Sequence, residues 1–236
     1  MKGLYAIVDT QSLAAREVDP LAYARAVLTA RPTALQLRAK DLPPREVLGL
    51  LRALLPECRR VGARLFNNDR PDLAALAGCD GVHVGQHDMP LEQVRRLAPS
   101  LAVGVSTHNA DELRRALAAR PAYVAFGPVF ATASKAQPEP TVGLRGLAAA
   151  AALVAGTGVP LVAIGGIHTA VARDIARFAD AGAVIAGLYG DDPSSVPAVS
   201  LRAEQLHWLL SHRPDDTHRP DGSGVGGESP LREASA

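Results

Sequence analysis

Short, nearly continuous apolar runs alternate along this chain with longer stretches in which apolar residues recur every three or four positions. The runs read as strands: Leu4 to Val8, Ala34 to Arg38, Arg64 to Phe66, Gly81 to Val84, Leu101 to Val105, Tyr123 to Phe126, Leu161 to Ile164 and Ala183 to Ile185. The stretches between them read as helices: Pro20 to Ala30, Pro43 to Val61, segments opening near Pro71 and at Pro90, Ala110 to Ala119, Leu144 to Ala155, Ala170 to Ala179 and Ala198 to Leu210. Between Pro43 and Val61, Val47, Leu50, Leu51, Leu54 and Leu55 form one apolar stripe at helical spacing. Most of the strand runs are apolar throughout rather than alternating, as in a sheet covered on both faces. Eight strand-then-helix units closing near Leu210 predict an α/β fold, a single (β/α)8 TIM barrel. The rival doubly wound sheet lacks its early Gly-x-Gly-x-x-Gly turn here.

The chain changes character at His212. Polar, Pro/Gly-rich sequence without periodicity follows, so the organisation expected is a barrel catalytic domain over residues 1–211 and a disordered tail over 212–236. Hydrophobic residues at 47% and charged residues at 21% suit a soluble globular protein, and a net charge of +1 removes any global electrostatic case for nucleic acid or an anionic membrane. Cys58 and Cys79 are too few for a disulfide framework and lack metal-ligand spacing, so both are expected to be buried apolar groups in a reducing compartment. The run before Asp9 is too short for a signal-peptide core, and no apolar run approaches a membrane span. A cytoplasmic protein is expected, with a homo-oligomer left open.

In a barrel the working groups gather at the C-terminal ends of the strands. Reading those ends collects Gln36, Arg38 and Lys40; then Asn67, Asn68, Asp69 and Arg70; then His83, Gln86 and Asp88; then Ser106, Thr107 and His108. After Phe126 comes Gly127-Pro128, then a loop offering Thr132, Ser134 and Lys135 within four residues, a way to hold a phosphate without a Gly-rich P-loop. Gly165-Gly166 and the turn after the eighth strand, at Ala186-Gly187, are positions where barrels bind a separate phosphate on backbone amides. Asp69 and Asp88, hard oxygen ligands without a Cys or His cluster, suit Mg²⁺ shared with a substrate diphosphate. Two anionic substrates are the natural inference. Plainer roles exist for each residue: Asp69 and Asp88 as helix caps, Lys40 as a solvated lysine, His83 and His108 as hydrogen-bonded structural groups.

With these motifs in order, the chain resembles the thiamine-phosphate synthase family over roughly residues 4 to 190. The resemblance rests on Gln36 to Lys40, Asn68-Asp69, Gly81 to Asp88, Gly104 to His108, Gly127 to Lys135 and Ala163 to Ile167. It implies coupling of 4-amino-5-hydroxymethyl-2-methylpyrimidine diphosphate with 4-methyl-5-(2-hydroxyethyl)thiazole phosphate, giving thiamine phosphate and pyrophosphate through a dissociative pyrimidine cation. It further implies that Asp69 and Asp88 ligate Mg²⁺. The pyrimidine diphosphate would be held by Gln36, Arg38, Lys40, Asn68, Ser106 and Lys135. Thr132, Ser134, Gly166 and the backbone near Ile185 and Ala186 would meet the thiazole phosphate. Lys40, Lys135 and Ser106 would be the catalytic groups.

Two positions depart from the family pattern. Ala186 follows Ile185 where a serine is common, and Ser134 stands where threonine is usual. The family also contains thiazole tautomerases, which use a histidine at the position of His108 as acid and base and lack the diphosphate and metal site. Retention of Lys40, Asp69, Asp88 and Lys135 together favours the synthase. A non-catalytic barrel binding a thiamine precursor is a third reading.

Overall fold

The computed structural model describes residues 1–132, 139–190 and 192–212. Eight parallel strands close a barrel in sequence order: β1 (Gly3–Asp9), β2 (Ala34–Arg38), β3 (Arg64–Asn68), β4 (Gly81–Val84), β5 (Ala102–Thr107), β6 (Tyr123–Phe126), β7 (Leu161–Ile164) and β8 (Ala181–Val184). Closure comes from β1 pairing with β8, Leu4 opposite Gly182 and Ala6 opposite Val184. The helices are α1 (Thr10–Ala14), α2 (Pro20–Leu28), α3 (Pro44–Val61), α4 (Pro71–Ala77), α5 (Leu91–Leu97), α6 (Ala110–Ala118), α7 (Gly143–Val154), α8 (Ala172–Ala176) and α9 (Val196–Ser211). None is long and apolar enough to cross a membrane.

Local chemistry accounts for the element boundaries. Asp19 accepts a hydrogen bond from the Ala22 amide at 2.7 Å ahead of Pro20, and Asn109 accepts one from the Glu112 amide at 3.0 Å, starting α2 and α6. Gly62 and Gly78 end α3 and α4 in left-handed conformations, φ 79° and 75°, that glycine adopts without steric cost. The α3 stripe buries Val47, Leu51, Leu54 and Cys58, with Leu50 and Leu55 flanking it. Both cysteines are buried, and burial pushes their thiols up to about 12.

Three boundaries differ from the sequence reading. The eighth strand begins at Ala181 and ends at Val184, so Ile185 lies beyond it. Its Ala-Gly-Ala core carries little apolar bulk, because α9 packs so closely that a Cβ on Gly182 would lie 2.7 Å from Leu210. Helix α8 is five residues rather than ten, and at its end Phe178 already bonds back only three positions, to Ile175. Helix α1 falls between the first strand and the Pro20 helix, where the sequence reading placed no element; Asp9 starts it by accepting from the Ser12 amide at 2.8 Å.

Two cores result. One lies between strands and helices; the other fills the lumen with Tyr5, Ile7, Phe66, Tyr123, Val162 and small residues. Tyr5, Phe66 and Tyr123 pack with ring centroids 5.4–5.8 Å apart. Glycines make the room: a Cβ on Gly104 would lie 2.0 Å from the Tyr123 ring, and one on Gly81 2.3 Å from Phe66. These aromatic rings form a floor across the barrel, and the site stands above it.

The tail expected to be disordered lies, from residue 213 on, outside the described residues. His212 itself is held, its ring stacked 4.9 Å from that of Trp208.

Candidate active site

A cavity of about 1030 Å³ opens at the C-terminal ends of the strands. Asp69 enters it from the turn after β3. That turn is closed by the Asn67 side chain, which donates to the Arg70 carbonyl at 3.0 Å, while the Asp69 amide donates to the His83 carbonyl at 2.8 Å. The clamp holds Asp69 at φ 61°, a left-handed conformation that Asp and Asn tolerate better than most residues. Asp69 therefore caps no helix: α4 starts at Arg70 with no side-chain cap. Its carboxylate instead meets Lys40 Nζ at 2.7 Å.

Asp88 also lies off its helix. Its Oδ2 accepts from the Gly85 amide at 2.7 Å, folding the loop after β4 back on itself, and α5 begins at Pro90 without a side-chain cap. Burial and the neighbouring Asp69 carboxylate together raise the Asp88 carboxyl above its ordinary range, against the opposing effects of the Gly85 amide and Lys40. Two carboxylates thus crowd one corner of the cavity with a lysine beside them. Such a donor set suits a hard divalent cation that completes its coordination with substrate oxygens and water. Among the described residues no group of three or more His, Cys, Asp or Glu forms a self-sufficient metal cage.

The remaining candidates fall into place around this corner. Arg38 is tied to the buried Asp9, the same carboxylate that starts α1. Gln36 is almost fully buried, and its Nε2 donates to Tyr5 Oη at 2.9 Å. Asn68, half-buried, lines the cavity at the end of β3. Ser106 Oγ lies 2.8 Å from His83 Nε2, while Gln86 donates to the Ser106 carbonyl at 2.5 Å. His108 Nδ1 donates to Glu112 at 2.9 Å. Burial works against the Glu112 charge, yet hydrogen bonds from the His108 amide, the His108 ring and Asn109 hold its carboxyl below the ordinary range.

On the opposite rim, the Val129 amide donates to Ile164 O at 2.8 Å and the Phe130 amide to Gly165 O at 3.1 Å, joining the loops after β6 and β7. Gly166, at φ 64°, is pressed so close to this junction that a Cβ would lie 2.6 Å from the Ala131 carbonyl oxygen. Ile185 leads from β8 into a 3-10 turn, Ala186–Leu188, closed by the Leu188 amide donating to Ile185 O at 3.1 Å. A Cβ on Gly187 would meet the Ile167 carbonyl at 2.1 Å, so the turns after β7 and β8 are in contact. Thr132, Gly166, Ile185 and Ala186 all line the cavity; Ser134 and Lys135 lie outside the described residues.

The sequence reading missed the buried links behind the site. Glu112 was legible only as an acid in the first turn of α6, four positions after His108. The bonds among Tyr5, Tyr123 and His83 span up to 118 residues and carry no local signal.

A closed parallel barrel with paired carboxylates and a lysine at one side of its mouth, facing glycine-built loops at the other, defines an enzyme of phosphorylated small molecules. Residues 4–188 match the thiamine monophosphate synthase family, and the chain belongs to it. A thiamine-phosphate synthase of Anaeromyxobacter dehalogenans is 43% identical over 187 residues, covering 79% of this chain and 78% of that one. Another, of Koribacter versatilis, is 43% identical over 196 residues, covering 80% and 89%. The solved thiamine phosphate pyrophosphorylase of Pyrococcus furiosus superposes with a TM-score of 0.75 at 30% identity, covering 88% of this chain and 95% of that one.

Proposed function

We propose that this protein is a Mg²⁺-dependent thiamine-phosphate synthase, joining the pyrimidine diphosphate to the thiazole phosphate with release of pyrophosphate. The observation that carries the reading is the Asp69–Asp88 pair with Lys40 against Asp69, two half-buried carboxylates crowded into one corner of the cavity, a donor set that suits a divalent cation. Asp69 and Asp88 would hold Mg²⁺, which when bound neutralises the diphosphate as it departs. Lys40, Arg38 and Asn68 would orient the diphosphate oxygens, with Lys135 reaching them from the loop after β6. Ser106 and Gln36 would fix the pyrimidine end. Thr132, Ser134, Gly166 and the backbone at Ile185 and Ala186 would seat the thiazole phosphate.

Bond changes balance without a protein nucleophile. The C–O bond to the diphosphate breaks with both electrons leaving on oxygen, and the aminopyrimidine disperses the resulting positive charge. The thiazole nitrogen then donates its lone pair to that carbon. The chain's task is leaving-group stabilisation and alignment. Consistent with this, both cysteines are buried with their thiols raised, which suits neither as nucleophile. The same reading places the reaction in the cytoplasm, in one barrel domain over residues 1–211. The test is incubation of purified protein with both precursors, with and without EDTA. Thiamine phosphate is expected only where Mg²⁺ is retained; none at saturating Mg²⁺ would overturn the reading.

A further inference from the structure

Along the floor of the cavity runs a chain of polar groups whose two ends, Gln36 and Ser106, the proposed reaction uses and whose middle members it leaves without a role. Gln36 Nε2 donates to Tyr5 Oη at 2.9 Å, Tyr5 Oη lies 2.7 Å from Tyr123 Oη, Tyr123 Oη lies 2.8 Å from His83 Nδ1, and His83 Nε2 lies 2.8 Å from Ser106 Oγ. All five line the cavity floor; four are at least nine-tenths buried, and Ser106 is the most exposed of them. Burial drives the two tyrosine hydroxyls well above their ordinary range, so both keep their protons.

Donor and acceptor identities give such a chain a direction. An amide nitrogen can only donate, so the Tyr5 oxygen accepts from Gln36. The Tyr5 hydrogen, buried, needs an acceptor, and the Tyr123 oxygen is beside it. Tyr123 in turn donates to His83 Nδ1. A neutral imidazole accepting at Nδ1 carries its proton on Nε2 and gives it to Ser106 Oγ. Ser106 is then satisfied as an acceptor, and its own hydrogen is left to point into the cavity. Buried relays of this kind polarise each bond in the same sense.

We infer that the Gln36–Tyr5–Tyr123–His83 relay fixes Ser106 as a hydrogen-bond donor toward an acceptor atom of the pyrimidine diphosphate, making Tyr5 and Tyr123 positioning residues. This rests on the synthase reading for the identity of the substrate, and not for the polarity of the relay. Gly104 belongs to the same device, since no larger residue there leaves space for the Tyr123 hydroxyl.

The test has two arms. In the first, ring ¹⁵N shifts are recorded for the full-length protein labelled at histidine, with His83 assigned from the signal lost in His83→Gln. The relay requires the Nε2–H tautomer in the wild type and a shift toward mixed tautomers in Tyr5→Phe. Finding Nδ1–H in the wild type, or no response to Tyr5→Phe, overturns it whether or not the protein makes thiamine phosphate. In the second arm, Tyr5→Phe and Tyr123→Phe each lower kcat/KM for the pyrimidine diphosphate about tenfold, while adding either change to Ser106→Ala lowers it no further. Losses that add to that of Ser106→Ala would mean a packing role only, and would refute the inference. If Tyr123→Phe does not fold, Tyr5→Phe carries both arms alone.

Discussion

Replacing Asp69 by asparagine separates charge from shape at the centre of the site. Asp69 sits at φ 61°, where asparagine is tolerated and alanine would add about 1–2 kcal/mol of backbone strain. Asparagine also leaves the Asp69 amide bonded to the His83 carbonyl. What the fold loses is the Lys40 ion pair. With the lysine side chain 51% exposed, that pair is worth about 0.2–1 kcal/mol. Relief of the repulsion with Asp88 offsets part of it, so the melting temperature should move by no more than roughly 4 °C. The cation loses far more. Even groups outside the coordination shell change metal affinity by about 10–100-fold. Removing one of two direct carboxylates should therefore raise the half-saturating Mg²⁺ concentration about 100-fold or more, close to 2.7 kcal/mol. Initial rates of thiamine phosphate formation against Mg²⁺, both precursors saturating, measure it directly. An unchanged Mg²⁺ dependence in a folded Asp69→Asn variant would remove Asp69 from the metal site.

Further outcomes follow from neighbouring residues. The raised Asp88 carboxyl means that the folded, cation-free protein holds that proton more tightly than the unfolded chain does. Its stability should fall as pH rises through the raised range, and Mg²⁺ should lift the melting temperature more at pH 8 than at pH 5; equal shifts at both pH values would contradict the carboxylate-pair account. Lys135→Ala should cut turnover about 100-fold or more with folding intact, by loss of leaving-group stabilisation, and His108→Ala should do much less. The opposite ranking would point to proton-transfer chemistry at the His108–Glu112 pair. Gly166→Ala must displace the Ala131 carbonyl and occupies a left-handed position, so it should destabilise the barrel by about 1–3 kcal/mol and weaken thiazole phosphate binding, read by melting and by KM.

The strands and the large helices were legible because each rests on a local pattern: apolar runs for β1 to β7, the Val47–Leu54 stripe for α3, a Pro at or beside the starts of α2, α3, α4 and α5. The eighth strand was displaced because Ala181-Gly182-Ala183 packs under Leu210 by having almost no side chains, which an apolar-run criterion overlooks. Asp69, Asp88 and Lys40 could be grouped from strand ends alone, since barrel topology brings consecutive ends together. That Asp69 and Asp88 are not caps was not legible, because it depends on the Asn67–Arg70 clamp and the Gly85 turn. The Arg38–Asp9 tie and the tyrosine relay were hidden for another reason: they join residues 29 and 118 positions apart.

The glycines of β4 and β5 carry one more consequence. Since Gly81 and Gly104 admit Phe66 and Tyr123 into the lumen, the depth of the cavity is set by side chains that are missing, while its charge is set at the mouth by Lys40, Asp69 and Asp88. The two properties share no residue. A bulkier group at Gly81 displaces Phe66, and a smaller residue in place of Phe66 sinks a well, neither touching Lys40, Asp69 or Asp88, whereas a bulkier group at Gly104 evicts Tyr123 and breaks its bond to His83. At the Phe66 side of the floor, which the tyrosine relay does not use, the ring shape accepted can therefore be retuned independently of how the mouth handles the phosphates, which makes Phe66 the natural place to redirect the choice of heterocycle.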